Sequence, residues 1–171
     1  MPSLALNANI GQSDANSYVL IADVDAYALA SLASDAWDNA DDLKLIYVIR
    51  AARLLDSMVV YPGRPTDTIQ RMQWPRVWVS HPSYGYYDVN IIPNAVKDAQ
   101  CALAIYLATQ ATNTDDPFAG LDSVNLTRLS VGPISLDFKS ALPAGMIYFN
   151  SVIVPILEAG NCIQEEGRLT R

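Results

Sequence analysis

His81 is the single histidine of the chain, so histidine metal clusters and most acid–base relays are short of parts. Pro82 follows it, and no glycine-flanked nucleophile stands at Ser80 or Ser83. His81 therefore reads as a loop residue. Asp41-Asp42, Asp115-Asp116 and Glu165-Glu166 are adjacent pairs, whose side chains diverge, whereas acid–base catalysis sets two carboxylates around one substrate. They read as solvated surface or helix-start charge. Cys101 and Cys162 are too few and too far apart for a disulfide framework or a thiolate metal site. Cys101 falls inside a predicted helix, as a small buried thiol does. The glycines stand apart and form no phosphate cradle. Catalytic, cofactor-binding and metal-ligating residues are all expected to be none, and the chain reads as a non-enzyme.

One stretch has the residue types for binding. Residues 61–92 hold Pro62, Pro65, Pro75 and Pro82 among Trp74, Trp78, Tyr84, Tyr86 and Tyr87. These aromatics could stack bases while Arg64, Arg71 and Arg76 meet phosphates. The same types serve equally as loop anchors and protein interfaces. Trp74, Pro75 and Arg76 are taken here as the loop anchor. Charge weighs between the two readings. The chain carries −7 overall, opposite in sign to the footprint that holds phosphates through counterion release. An acidic surface suits DNA that must slide past without sticking.

Elements must position that loop. The prolines interrupt helix and restrict their predecessors, which predicts an ordered loop of about 30 residues, a length that is usually functional or interfacial. Before it, Asp23 is a plausible N-cap of a short helix through Leu32. A longer helix is expected over 38–58. Its polar stripe (Asp42, Arg50, Arg53, Asp56, Ser57) covers about a third of the circumference. The wide apolar remainder predicts packing on two sides, with Tyr47, Ala51, Leu54 and Met58 as candidate subunit-interface residues. After the loop, Pro93 sits where a first helical turn accepts it, opening an alanine-rich helix to about Thr112 that neighbours can approach closely. Ile134, Leu136 and Phe138 alternate with polar residues as a half-buried strand does. Gly132-Pro133 is the turn and 124–131 the antiparallel partner. A short helix through 152–157 contains Pro155.

The chain has 171 residues, 51% of them hydrophobic, enough for one domain with a real core. Charged residues make up 17%, fewer than usual, which predicts surface buried against partners. The expected class is mainly α: a small helical bundle with one β-hairpin and a long proline- and aromatic-rich loop. Residues 1–159 form the domain, with 1–14 an extended arm, and 160–171 a polar tail. The longest apolar runs fall far short of the ~20 residues of a spanning helix. No secretory signal is legible at the start, so synthesis in a reducing cytoplasm is expected.

Ordered blocks carry a resemblance. Ala15-Asn16-Ser17-Tyr18, Gln73-Trp74-Pro75-Arg76 and Ile92-Pro93-Asn94-Ala95-Val96-Lys97-Asp98-Ala99 are three of them. Val131-Gly132-Pro133-Ile134 and Pro143-Ala144-Gly145 complete the set, over roughly 15 to 157. Together they resemble a family of tailed-phage proteins often labelled DnaT-like single-stranded DNA-binding proteins. That family's fold is similar to the head–tail connectors (adaptors) of lambdoid phages. The resemblance implies a ring, twelve-fold in the family, beneath the portal protein in the virion neck. One face would meet the portal through the C-terminal segment, where Arg168 and Arg171 are the candidates. The other would meet the head-closure (stopper) or tail protein, while genomic DNA passes without sequence-specific binding. The alternative is a single-stranded DNA-binding replication accessory protein. The tyrosine-rich insert 83–90 and the long polar tail depart from the pattern.

Overall fold

The alanine-rich helix is the axle of the molecule. In this computed structural model, which describes residues 5–31, 34–110, 128–131, 134–137 and 144–164, helix α4 spans Asn94–Gln110. Val96, Ala99, Cys101, Leu103, Ile105 and Leu107 are among its buried residues, so most of its circumference is covered. The alanines let neighbours close in on it. Helices α1 (Ile21–Ala28), α2 (Ser34–Asp38), α3 (Lys44–Met58) and α6 (Val154–Ala159) all pack against it. The architecture is mainly α, a small bundle carrying an antiparallel hairpin.

A buried polar group ties this apolar centre together. Gln100 is wholly buried. Its Oε1 accepts the Tyr18 backbone N–H at 2.9 Å, and its Nε2 donates to Ser17 Oγ at 2.7 Å and to the Val48 carbonyl at 2.9 Å. One amide thus fixes the entrance to α1 and the flank of α3 on α4. Three satisfied bonds make a buried amide tolerable in an apolar core.

Several expectations shift in detail. Asp23 is not the N-cap of α1 but lies in its first turn, where Oδ2 accepts the Leu20 N–H at 2.7 Å. The helix ends at Ala28 and does not run to Leu32. The single helix over 38–58 is broken into α2, a 3₁₀ turn at Asp41–Leu43 and α3. Asp41 at φ 35° bends the chain out of right-handed helix. The bend is held by Asp25, whose Oδ1 accepts from Trp37 Nε1 at 2.7 Å and from Lys44 Nζ at 3.1 Å. Tertiary demand for a buried indole overrides local periodicity here.

Residues 61–92 form a long irregular loop, as the prolines require. Its one regular feature is a two-residue ribbon of β1 (Arg64–Pro65) and β2 (Arg76–Val77). β3 (Arg128–Val131) and β4 (Ile134–Asp137) pair antiparallel with Val131 opposite Ile134, and the turn expected at 132–133 lies outside the described residues. The expected strand ends at 124–127 and 138–139 lie outside the described residues.

The last helix is longer than expected. α5 (Ala144–Tyr148) passes through a π turn (Phe149–Ile153) into α6. Pro155 lacks an N–H and crowds the carbonyl four residues back, and the π turn before it relieves that conflict. Residues 160–164, read as the start of a free tail, are docked. Cys162 is wholly buried, and the Gln164 N–H donates to the Val60 carbonyl at 2.8 Å.

Gly160 makes this docking possible, because a Cβ there would stand 2.5 Å from Ala95 Cβ and 3.1 Å from Cys162 Sγ. Gly160→Ala is expected to destabilise the chain by about 1–3 kcal/mol through overpacking, a measurable fall in Tm. An unchanged thermal melt would contradict the docking of 160–164 on α4.

Candidate functional site

The loop of 61–92 divides into a buried half and an exposed half. Trp74 is 1% exposed, set edge-on to Tyr61 at 5.9 Å and to Tyr87 at 6.3 Å between ring centroids. Its peptide bond to Pro75 is cis. The Trp74 backbone N–H donates to the Tyr18 hydroxyl at 3.3 Å, and that hydroxyl donates to Asp56 Oδ1. Asp56 Oδ2 accepts the Gln73 N–H at 3.0 Å. Burial pushes the Asp56 carboxyl above its ordinary range, while the Tyr18 and Gln73 hydrogen bonds and the Arg76 charge pull it down. Burial also raises the Tyr18 and Tyr61 hydroxyls, so both stay protonated and can donate. The Tyr61 hydroxyl lies beside Asp56 without closing a well-formed bond, and Trp74 Nε1 finds no partner among the described residues.

Arg76 is the clamp of this half. Nε donates to the Pro62 carbonyl at 2.7 Å, and one terminal nitrogen donates to the carbonyl and Oε1 of Gln73 at 3.1 and 2.9 Å. The other donates to the carbonyls of Tyr61 and Gly63 at 3.4 and 3.0 Å. All five donors of the guanidinium are engaged, and the side chain is 6% exposed. Gly63 has φ 69°, and a Cβ there would lie 2.1 Å from the Val77 carbonyl oxygen, so the ribbon closes only over glycine. Neither Trp74 nor Arg76 is available to a base or a phosphate.

The exposed half starts two residues on. Trp78 is 66% exposed and held at φ 62°, in a left-handed conformation that bulky residues rarely adopt. The Arg64 guanidinium carbon lies 4.3 Å from the centroid of its ring, an exposed cation–π pair. Beyond it the insert makes a small tip. The His81 N–H donates to the Gly85 carbonyl at 3.0 Å, and Tyr84 stacks on His81 with centroids 4.0 Å apart. His81 Nδ1 accepts the Ser83 N–H at 3.1 Å, so the lone histidine is a turn residue. Tyr84 and Tyr86 are 71% and 68% exposed, whereas Tyr87 turns inward and donates to the Gly160 carbonyl at 2.9 Å. Among the described residues no group of histidine, cysteine, aspartate and glutamate is placed to hold a metal. Burial raises both cysteine thiols to about 12, which leaves them protonated and unreactive at neutral pH.

Of the residues read as a subunit interface, Ala51 is wholly buried inside the chain, and Tyr47, Leu54 and Met58 are half-buried against the core. The α3 surface instead exposes Ile46, with Leu43 just before the helix. Arg168 and Arg171 lie outside the described residues. A second apolar area was not foreseen. An open cavity of about 470 Å³ lies between α1, α4 and the C-terminal helices, lined in part by Tyr27, Ala30, Ala102, Tyr106 and Tyr148. Tyr106 and Tyr148 stack there, centroids 4.0 Å apart and planes within 10°.

Against known proteins, the family model described as "Putative DnaT-like ssDNA binding protein" matches residues 3–164. The chain belongs to this DnaT-like family. Comparison with curated proteins and with solved structures finds no match. The label attached to the sequence blocks is thereby shown, whereas no comparison carries the connector role. In this DnaT-like chain the Gln73-Trp74-Pro75-Arg76 block is a structural knot, and Trp78 is the tryptophan that faces outward.

Replacing Trp74 by Ala is expected to cost about 3–5 kcal/mol, and the same change at Trp78 should leave the thermal melt nearly unmoved. Calorimetry on the two variants checks this; equal effects would contradict the division of the loop.

Proposed function

We propose that the protein is a structural assembly subunit, a head–tail connector (adaptor) forming a ring in the neck of a tailed phage. The observation that supports this most is the distribution of exposed apolar side chains. Leu20, Leu29, Ile69, Trp78, Tyr84 and Ile147 each expose half or more of their area. Scattered apolar residues are ordinary, but Trp78 and Tyr84 share the aromatic loop, while Leu29 and Ile147 adjoin in sequence Ala30 and Tyr148 of the 470 Å³ cavity, so apolar surface is exposed on two separate parts of the molecule. A ring subunit needs a surface for each neighbour and others for the partners above and below. The net charge of −7 suits a channel through which DNA slides. The resemblance of the ordered blocks supplies the specific role: a twelve-fold ring in the virion, between the portal protein and the head-closure or tail protein. Arg168 and Arg171 fall in the portal-facing segment.

A second reading has its own observation. The family description names single-stranded DNA binding, and the comparisons favour that reading over the connector. The Arg64–Trp78 pair with Tyr84 and Tyr86 is the surface that would carry it, stacking bases at about 1–3 kcal/mol each. Against it stand the acidic balance and the burial of Trp74 and Arg76.

The connector account expects no salt-dependent affinity for a single-stranded oligonucleotide in a fluorescence titration. It also expects about one copy per portal subunit at the head–tail vertex of purified particles. Binding that weakens steeply with ionic strength, or a protein absent from particles, would replace it with the second reading.

A further inference from the structure

The two exposed apolar patches differ in shape. One is a protrusion, with Trp78 projecting under Arg64 and the His81–Tyr84 stack beside it. The other is the concave opening lined by Tyr27, Ala30, Ala102, Tyr106 and Tyr148, with Leu29 and Ile147 exposed next to lining residues. The opening is of a size that takes a large aromatic group. We infer that the Trp78 protrusion of one copy of this chain seats in the cavity of the next copy, and that this is the ring-closing contact. The inference rests on the assembly reading above.

Position along α4 makes the match intermolecular. The loop is tied to the start of that helix, since Tyr87 bonds the Gly160 carbonyl and Gly160 packs on Ala95. The cavity lies beside Ala102, Ile105, Tyr106 and Thr109. From Ala95 to Tyr106 the axis rises about 16 Å at 1.5 Å per residue. Protrusion and cavity therefore sit towards opposite ends of the bundle, and a contact between them joins unlike surfaces. Such a heterologous contact propagates from copy to copy until rotation closes it.

Charge follows the same polarity. The protrusion carries Arg64, a cation that no acid of the described residues pairs. Near the cavity lies exposed Asp98, one helical turn before the lining residue Ala102. Burial raises the Tyr27 hydroxyl above its ordinary range, and the Asp98 charge adds to that. Lys97 lines a separate groove, against the N-terminal arm, and its charge partly offsets that of Asp98. A cationic protrusion thus meets the acidic side chain of Asp98 beside the cavity, which orients the encounter.

Two single substitutions test this in the full-length protein by mass photometry and sedimentation. Trp78→Ala removes the protrusion, and Ala30→Arg fills the mouth of the cavity; both positions are exposed, and circular dichroism checks that each variant folds. Wild type is expected to form higher oligomers, and each variant alone to remain monomeric. An equal mixture should stop at dimers, because each variant retains the half that the other lacks. Wild-type oligomers that survive both substitutions would overturn this contact while leaving the assembly reading intact. A wild type that stays monomeric at high concentration would overturn both. A Trp78→Ala variant that oligomerises normally but loses affinity for a single-stranded oligonucleotide would assign the protrusion to nucleic acid instead.

Discussion

Five hydrogen bonds from one buried guanidinium hold the functional half of this molecule in shape. Arg76 gathers the carbonyls of Tyr61, Pro62 and Gly63 on one side of the ribbon and Gln73 on the other. Without it, the buried Tyr61 carbonyl would lose this donor at a desolvation cost of about 1–3 kcal/mol, and the part-buried carbonyls of Pro62 and Gly63 would lose theirs. Because the ribbon is pinned there, Trp74 points into the core and Trp78, four residues later, points out. A lysine could supply charge at this position but not the planar fork that reaches both strands. The whole surface presented by the loop follows from that one clamp.

The clamp is joined to the helical body by shared groups. Asp56 on α3 accepts from Tyr18 and from the loop backbone at Gln73, and Tyr18 in turn accepts the Trp74 N–H. The Tyr18 backbone N–H belongs to Gln100 at the centre of α4. The loop, α3, α4 and the segment leading into α1 therefore meet in a continuous polar seam within an apolar core. A seam of this kind specifies one arrangement of its elements, since a slip leaves several buried groups unpaired.

The bundle, the start of α4 after Pro93, the irregular loop and the pairing of β3 with β4 were legible because each rests on a local rule: proline chemistry, alanine content or period-two alternation. The break at Asp41 was not, since it follows from seating Trp37 on Asp25, twelve residues away in sequence. Asp56 was placed in a solvated stripe by the helical wheel, which sees α3 but not the loop laid over it. Gln100 carried a visible signal, a lone amide among alanines and branched apolar residues, but its three partners come from elements that periodicity does not bring together. For the site, the sequence singled out the right loop while the division within it depended on contacts. Trp74 and Trp78 are indistinguishable by composition, and only the Arg76 clamp decides which is buried.

Solvent exchange of the three indole N–H groups by NMR tests the division of the loop most directly. Trp37 and Trp74 should exchange slowly and Trp78 fast, with no resonance shifting when a single-stranded oligonucleotide is added. A fast-exchanging Trp74 whose signal moves with DNA would contradict both the buried knot and the assembly role built on it.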